Sequence, residues 1–153
     1  ASQKTSPLAV DFDNDGEDEI IYGDYNGFIH VLNSDGSELE DETFPFDTGN
    51  QIWGAAAGAD MDGDGLIDIA VLSKSKHFYL LDKNGLKVDF DSEKYLLGTP
   101  AIGNLDGDAD FEVVFSEEDH FFSMSCATNV PVKQIANSSN SIFFNTFLFV
   151  SLF

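Results

Sequence analysis

Residues 11–20 read Asp11-Phe-Asp-Asn-Asp-Gly-Glu-Asp-Glu-Ile20, and this acidic loop occurs three times in the chain. The second copy is Asp60-Met-Asp-Gly-Asp-Gly-Leu-Ile-Asp-Ile69, and the third is Asn104-Leu-Asp-Gly-Asp-Ala-Asp-Phe-Glu-Val113. Each copy has an oxygen-bearing side chain at the first, third, fifth and ninth loop positions. Ca²⁺ takes roughly six to eight oxygen ligands from such groups, so each loop is a candidate site for a hard cation. Three copies also predict a repeat protein.

The sixth loop position supports this interpretation, because the loop must turn tightly to wrap its oxygens round one ion. Gly16 and Gly65 allow such a turn, since glycine tolerates a positive φ. The third copy has Ala109 at this position and begins with the neutral Asn104, so we expect it to be the weakest of the three sites. The backbone carbonyl at the seventh position is a further expected ligand in each copy, at Glu17, Leu66 and Asp110.

The flanking residues exclude two other classes of acidic loop. An EF-hand needs a bidentate glutamate at the twelfth position and a helix on each side. Here that position holds Tyr22, Val71 or Phe115, within runs of β-branched and aromatic residues that are typical of strands. A nonapeptide calcium repeat would recur about every nine residues, whereas these loops begin at residues 11, 60 and 104.

This motif and its interval resemble the FG-GAP repeat of integrin alpha-type β-propellers and their bacterial VCBS-type relatives. The resemblance covers roughly residues 7 to 130 and is closest in the second copy. It implies that each repeat forms one propeller blade, with calcium bound in the loop between the first two strands of the blade. The implied side-chain ligands are Asp11, Asp13, Asp15, Glu19, Asp60, Asp62, Asp64, Asp68, Asn104, Asp106, Asp108 and Glu112.

The order of apolar segments predicts blades independently of the resemblance. Small residues precede each loop, as expected for inner strands that crowd round a propeller axis, and two apolar strands follow it. Ser34-Asp-Gly36 and Lys83-Asn-Gly85 are hairpin signals, after which a fourth strand is expected near Leu39 and near residues 86–88. Residues 41–50 have the mixed composition of a linker between blades.

We therefore expect an all-β protein of about three four-stranded antiparallel blades, at about residues 5–46, 47–95 and 96–133. Because propellers close with about 4–8 blades, the chain is expected to be a segment of a larger propeller.

Residues 134–153 differ from the rest, since they carry no acidic residue and end in a phenylalanine-rich run. Three interpretations stay open for them: a segment that is not native coding sequence, a packed outer strand of the third blade, or a membrane anchor. The anchor is the least favoured, because a spanning helix needs about 20 apolar residues.

The composition limits the partners. A formal net charge of −21 excludes the basic surface that nucleic-acid binding requires. Extracellular calcium modules bind with a Kd of about 10⁻⁴–10⁻³ M, so we expect an extracellular or cell-surface protein, periplasmic or on the outer surface if bacterial. The expected partners are protein or glycan ligands, with membrane contact only through the rest of a parent protein.

Repetition of one local ligand set favours a structural role for the metal over a catalytic one, so we expect no catalytic residues and no enzyme activity. By resemblance, the function is recognition, adhesion or scaffolding. The alternative is an accessory propeller of a secreted hydrolase or polysaccharide lyase whose catalytic residues lie outside this chain. Trp53 is expected to pack between blades, with an exposed binding aromatic as the alternative.

Overall fold

Twelve β-strands make up the computed structural model, which describes residues 5–105, 107, 111–117, 120–125 and 133–137. The described residues contain no helix, and therefore none of a length and apolarity that could span a membrane. The strands are Leu8–Val10 (β1), Glu19–Gly23 (β2), Phe28–Leu32 (β3), Phe46–Asp47 (β4), Ala57–Ala59 (β5), Asp68–Leu72 (β6), His77–Asp82 (β7), Gly85–Asp91 (β8), Ala101–Gly103 (β9), Glu112–Glu117 (β10), His120–Ser125 (β11) and Lys133–Asn137 (β12).

The strands form three four-stranded antiparallel sheets, each from four strands consecutive in the chain. The sheets are β1–β4, β5–β8 and β9–β12, which we call the first, second and third blades. A four-stranded meander of this kind is the unit of a β-propeller, which closes with about 4–8 such blades. The all-β class and the incomplete set of propeller blades expected from the sequence are thus confirmed. Beyond Asn137, the tail of the chain lies outside the described residues.

The two cores lie between neighbouring blades, because each middle strand sends alternate side chains to opposite faces. In the fully buried strand β6, Ile69 and Val71 join the core shared with the first blade. Ala70 and Leu72 of the same strand join the core shared with the third blade.

Aromatic rings fill these interblade cores. Phe44 and Phe46 pack in the core between the first and second blades, and Phe90 packs in the core between the second and third. Phe78 stacks on Phe115 of the third blade, with ring centroids 4.9 Å apart. The inner strands approach closely as well: a Cβ placed on Gly58 of β5 would lie 2.9 Å from the Leu8 side chain of β1.

The expected hairpin at Lys83–Gly85 is confirmed, since β7 pairs with β8 across it. In the first blade, the expected outer strand near Leu39 is wrong in extent. Leu39 donates a single backbone hydrogen bond to Val31 O, and the chain then turns at Asp41, whose carboxylate accepts the Thr43 and Phe44 N–H groups. The fourth strand forms only at Phe46–Asp47, inside the segment interpreted as a linker.

Candidate metal sites in the acidic loops

The acidic loops connect the first two strands of their blades. Residues 11–19 are the first loop, between β1 and β2, and residues 60–68 are the second loop, between β5 and β6. The third loop, residues 104–112, connects β9 to β10, and the structure describes its residues 104, 105, 107, 111 and 112. In an antiparallel meander, the first and third connections lie at the same edge of the sheet. The turn between β7 and β8 therefore lies at the same edge as the second loop.

Carboxylates of the first loop organise its backbone. Asp11 accepts hydrogen bonds from the N–H groups of Asp15 (3.0 Å) and Gly16 (3.1 Å). Asp15 in turn accepts one from the Glu17 N–H at 2.8 Å. Gly16 has a φ of +96°, in the region that glycine adopts without strain. The turn expected from the sequence is therefore present, and it points the side chains of the loop inward.

The result is a cluster of negative charge. Asp11, Asp13 and Asp15 each offer a carboxylate oxygen, and these three atoms lie within 4.8 Å of one another. Glu19 is buried at the base of the loop, where it accepts a hydrogen bond from the Phe12 N–H at 2.9 Å. Burial raises the pKa of Glu19, and the neighbouring charges of Asp13 and Asp15 raise it further. A bound cation would offset this repulsion.

The second loop repeats most of this backbone pattern, but its first aspartate accepts from the fourth loop residue, Gly63, where Asp11 accepts from the fifth, Asp15. Asp60 accepts hydrogen bonds from Gly63 (2.8 Å) and Gly65 (3.0 Å), and Asp64 accepts one from Leu66 (2.8 Å). Asp68 is fully buried and accepts a hydrogen bond from the Met61 N–H at 3.0 Å, as Glu19 does from Phe12. Oxygens of Asp60, Asp62 and Asp68 lie within 4.8 Å of one another.

The second loop differs from the first because a lysine lies against it. Lys87 Nζ is 2.7 Å from Asp68 Oδ1, 3.0 Å from Asp62 Oδ2 and 3.5 Å from Asp64 Oδ2. It is also 3.2 Å from Oδ2 of Asp82, the last residue of β7. The lysine thus contacts three of the four side chains that the sequence predicts as metal ligands of this loop.

The charges of this cluster influence one another. Burial alone would lower the pKa of Lys87, but its contacts with Asp68 and Asp62 outweigh that effect and raise the pKa above its ordinary value. The hydrogen bond from Lys87 lowers the pKa of Asp62. Burial raises the pKa of Asp68, although the same lysine opposes that rise. Lys87 is therefore charged throughout the physiological pH range.

In the third loop, the described residues keep part of the pattern. Asn104 accepts a hydrogen bond from the Gly107 N–H at 2.6 Å, and Glu112 accepts one from the Leu105 N–H at 2.7 Å. Glu112 is buried, and its second oxygen, Oε1, has no hydrogen-bond partner in the part of the chain that the structure describes. The predicted ligands Asp106, Asp108 and Asp110 lie outside the described residues. The carbonyls of Glu17 and Leu66 stay predicted ligands of the other two loops.

A second lysine connects the first loop to the next blade. Lys83, in the turn between β7 and β8, donates a hydrogen bond from Nζ to the backbone oxygen of Asp13 at 2.7 Å. Neither lysine contact was predicted from the sequence. The one available signal was position, since both lysines lie at or beside the hairpin expected at residues 83–85.

Trp53 lies outside the cores, which corrects the expectation that it packs between blades. Its side chain is 44% exposed, although it spans the joint by contacting Tyr25 of the first blade and Lys74 of the second. The ammonium of Lys74 lies 5.0 Å from the centre of the ring. Tyr25 and Lys74 belong to the connections between the second and third strands of their blades, so this aromatic cluster lies at the edge opposite the acidic loops.

A comparison with protein families gives one match. Residues 11–71 match the family model described as the FG-GAP-like repeat, a range that runs from the first loop through the second loop and into β6. A search of curated proteins found no match.

Proposed function

This chain is an FG-GAP-type repeat protein, and we propose that it is a calcium-binding, extracellular β-propeller segment that serves recognition, adhesion or scaffolding and has no catalytic activity. The convergence of Asp11, Asp13 and Asp15 above the buried Glu19 is the observation that supports this proposal most strongly. Among the described residues, no lysine or histidine forms an ion pair with these four carboxylates.

Calcium suits this donor set, because it accepts several carboxylate and carbonyl oxygens in a flexible arrangement. Asp11, Asp13, Asp15 and Glu19 would hold the ion with their side chains, and Glu17 with its backbone carbonyl. Bound calcium would supply positive charge where the chain has clustered negative charge. Asp11 and Asp15 already accept backbone N–H groups, so the loop is preorganised and little conformational entropy is lost on binding.

Calorimetry with the double variant Asp11→Asn, Asp13→Asn tests the proposal. We expect the unchanged chain to bind calcium with a Kd of about 10⁻⁴–10⁻³ M and the variant to lose binding at the first loop. The pair Glu40→Gln, Glu42→Gln is the matched control, since it removes the same charge from exposed residues outside the loops. No heat of binding in the unchanged chain, or equal binding by the two double variants, would contradict the proposal.

The recognition role has a candidate surface in the exposed aromatic cluster of Trp53, Tyr25, Lys74 and Tyr95. Tyr95 is 55% exposed and lies 5.8 Å from the Lys74 ammonium. Exposed aromatic rings beside a cation are typical contacts for protein and glycan ligands, because they offer apolar area and polar tips together. This cluster and the acidic loops occupy opposite edges of the blades, so calcium would support the surface without contacting the ligand.

Trp53 is the chain's single tryptophan, so its fluorescence reports on this surface directly. We expect one class among soluble glycans and extracellular matrix proteins to shift the emission, and Tyr95→Ala to weaken that response. If none of these ligands changes the emission of the calcium-bound chain, recognition at this surface is contradicted and scaffolding is the function that remains. Release of sugar from a polysaccharide by the purified chain would contradict the non-catalytic role.

A further inference from the structure

We propose that Lys87 is the resident cation of the second loop: its ammonium takes the place of a metal ion there, so that this loop keeps its fold without calcium. The inference rests on the proposed calcium function only in predicting that metal and lysine compete. The observation that carries it is the position of Nζ, within 3.5 Å of carboxylate oxygens from Asp62, Asp64, Asp68 and Asp82.

An irregularity in strand β8 directs the Lys87 side chain towards the second loop. Leu80 pairs with Val88 and Leu81 with Leu86, so Lys87 is an extra residue without a partner in the ladder between β7 and β8. An extra residue of this kind is a β-bulge, which bends the strand and re-aims a side chain. Lys87 projects from this bulge towards the second loop, at the blade edge where the acidic loop and the β7–β8 turn meet.

Burial makes these contacts stronger than surface ion pairs. The Lys87 side chain is 25% exposed, whereas those of Asp68 and Asp82 are 0% and 4% exposed. Exposed ion pairs contribute little because water screens them, but removing one member of a buried pair leaves a charge without compensation. Among the described residues, Asp68 Oδ1 has no other hydrogen-bond partner, so the ammonium 2.7 Å away is what compensates this buried oxygen.

The first blade has the opposite charge at the equivalent place. Val31 of β3 and Leu80 of β7 are equivalent, because they pair with Ile21 and Ala70 in β2 and β6. Leu39 bonds to Val31 as Val88 pairs with Leu80, so Glu38 and Lys87 each precede an equivalent residue, although Glu38 pairs with Leu32 and Lys87 lies in the bulge.

Glu38 contacts His30 and contributes no cation to the first loop. The two loops share most of their backbone hydrogen bonds, while a metal would neutralise the first and a side chain neutralises the second.

Chemical labelling of lysines tests this inference on the unchanged chain. In EDTA, we expect reductive methylation, read by mass spectrometry for each lysine, to modify Lys87 at least tenfold more slowly than Lys94, which is exposed. The contacts of the Lys87 ammonium with Asp62, Asp68 and Asp82 hold its nitrogen against the protein and limit the access of the reagent. Equal labelling of Lys87 and Lys94 would overturn the inference, whether or not calcium binds anywhere in the chain.

A calcium titration of variants tests the competition. In a chain whose first loop is silenced by Asp11→Asn and Asp13→Asn, we expect Lys87→Met to strengthen calcium binding at least about tenfold, which is about 1.4 kcal/mol. Lys94→Met, which removes the same charge elsewhere, should leave binding unchanged. Unaltered binding after Lys87→Met would overturn the competition between lysine and metal.

The two proposals fail in different ways. Absence of calcium binding to the unchanged first loop contradicts the proposed function, but it leaves the slow labelling of Lys87 as a separate expectation. Fast labelling of Lys87 contradicts the resident lysine, even where the first loop binds calcium normally. If Lys87→Met fails to fold in EDTA but folds in calcium, the result supports the inference, because calcium then replaces the missing ammonium.

Discussion

In the first loop, Asp11, Asp13 and Asp15 face one another over the buried Glu19 without an ion pair to a lysine of the described residues. In the second loop, similar backbone hydrogen bonds surround carboxylates that contact the ammonium of Lys87. The difference arises outside both loops, from one residue of an edge strand. A loop motif thus predicts the ligands that a cation would have, but the neighbouring strand decides which cation is there.

Removal of the buried carboxylate at the base of each loop should give the largest effects. In EDTA, we expect Asp68→Ala to lower the free energy of unfolding by about 3 kcal/mol, since it removes the acceptor of the Met61 N–H and the buried carboxylate nearest to the Lys87 ammonium. Glu19→Ala should cost about half as much, because Glu19 accepts backbone N–H groups but pairs with no lysine of the described residues, and its removal relieves repulsion.

Urea unfolding in EDTA and in calcium measures both variants. In calcium the order should reverse, because Glu19→Ala also removes a metal ligand. The same order in both conditions would contradict the assignment of different cations to the two loops.

Substitution of the glycine at the sixth position of each loop should have the second largest effect on the free energy of unfolding. Gly16 and Gly65 have φ values of +96° and +87°, and a Cβ on either would contact nothing within 4 Å. Alanine therefore adds backbone strain alone, and we expect each substitution to cost about 1 kcal/mol in EDTA.

Only Gly16→Ala should also raise the Kd for calcium, by about fivefold, because the first loop is the one that depends on metal. Calorimetry of the two variants side by side measures this difference. A larger loss of calcium binding from Gly65→Ala than from Gly16→Ala would reverse the comparison.

The blades also differ at the turn between their second and third strands. In the first blade, the Asp24 side chain accepts a hydrogen bond from a backbone N–H of this turn, and in the second blade Ser73 does so. Although burial alone would raise the pKa of Asp24, hydrogen bonds from the Phe28 and Asn26 N–H groups lower it below the ordinary value of 3.8. A carboxyl group with a lowered pKa stabilises the fold above its unfolded-state pKa, and this stabilisation disappears as the pH falls through the lowered value.

We therefore expect Asp24→Ser, which copies the second blade, to cost about 1 kcal/mol near neutral pH. The difference from the unchanged chain should shrink once the pH falls below about 3.8. Urea unfolding across that range is the measurement, and Ser73→Ala is the control without a titrating group. A difference that stays constant as the pH falls would show that the charge of Asp24 does not matter.

The smallest effect concerns the contact between blades. Lys83→Met removes the hydrogen bond from the second blade to the Asp13 backbone, and we expect a loss of about 0.5 kcal/mol because the contact is only partly buried. The variant should weaken calcium binding at the first loop slightly and leave the labelling of Lys87 unchanged. Lys94→Met is again the control. Equal effects of the two variants would show that the Lys83 hydrogen bond does not stabilise the contact between the blades.

Local features of this fold were predictable from the sequence. The loops, the strands after them and the Lys83–Gly85 hairpin depend on residues close together in the chain, so spacing and glycine positions were sufficient. The strand Phe46–Asp47 was not predicted. It is only two residues long, and it follows a polar segment in which Asp41 turns the chain.

Features that depend on pairing between strands were not predictable. Lys87 reaches the second loop only because a bulge offsets β8 against β7, and no spacing rule reveals that offset. The exposure of Trp53 depends in the same way on how two blades meet. The candidate ligands are thus readable from the sequence, whereas the lysine that contacts them in the second loop is not.

Hydrogen exchange in calcium and in EDTA, read separately for peptides that cover residues 11–19 and 60–68, tests the central claim most directly. The amides of Phe12, Asp15 and Gly16 already donate to first-loop carboxylates, and calcium should slow their exchange by holding those carboxylates in place. We expect clear slowing in the first loop and much less in the second, whose carboxylates Lys87 already contacts. Slowing confined to the second loop, or none in either loop at millimolar calcium, would contradict it.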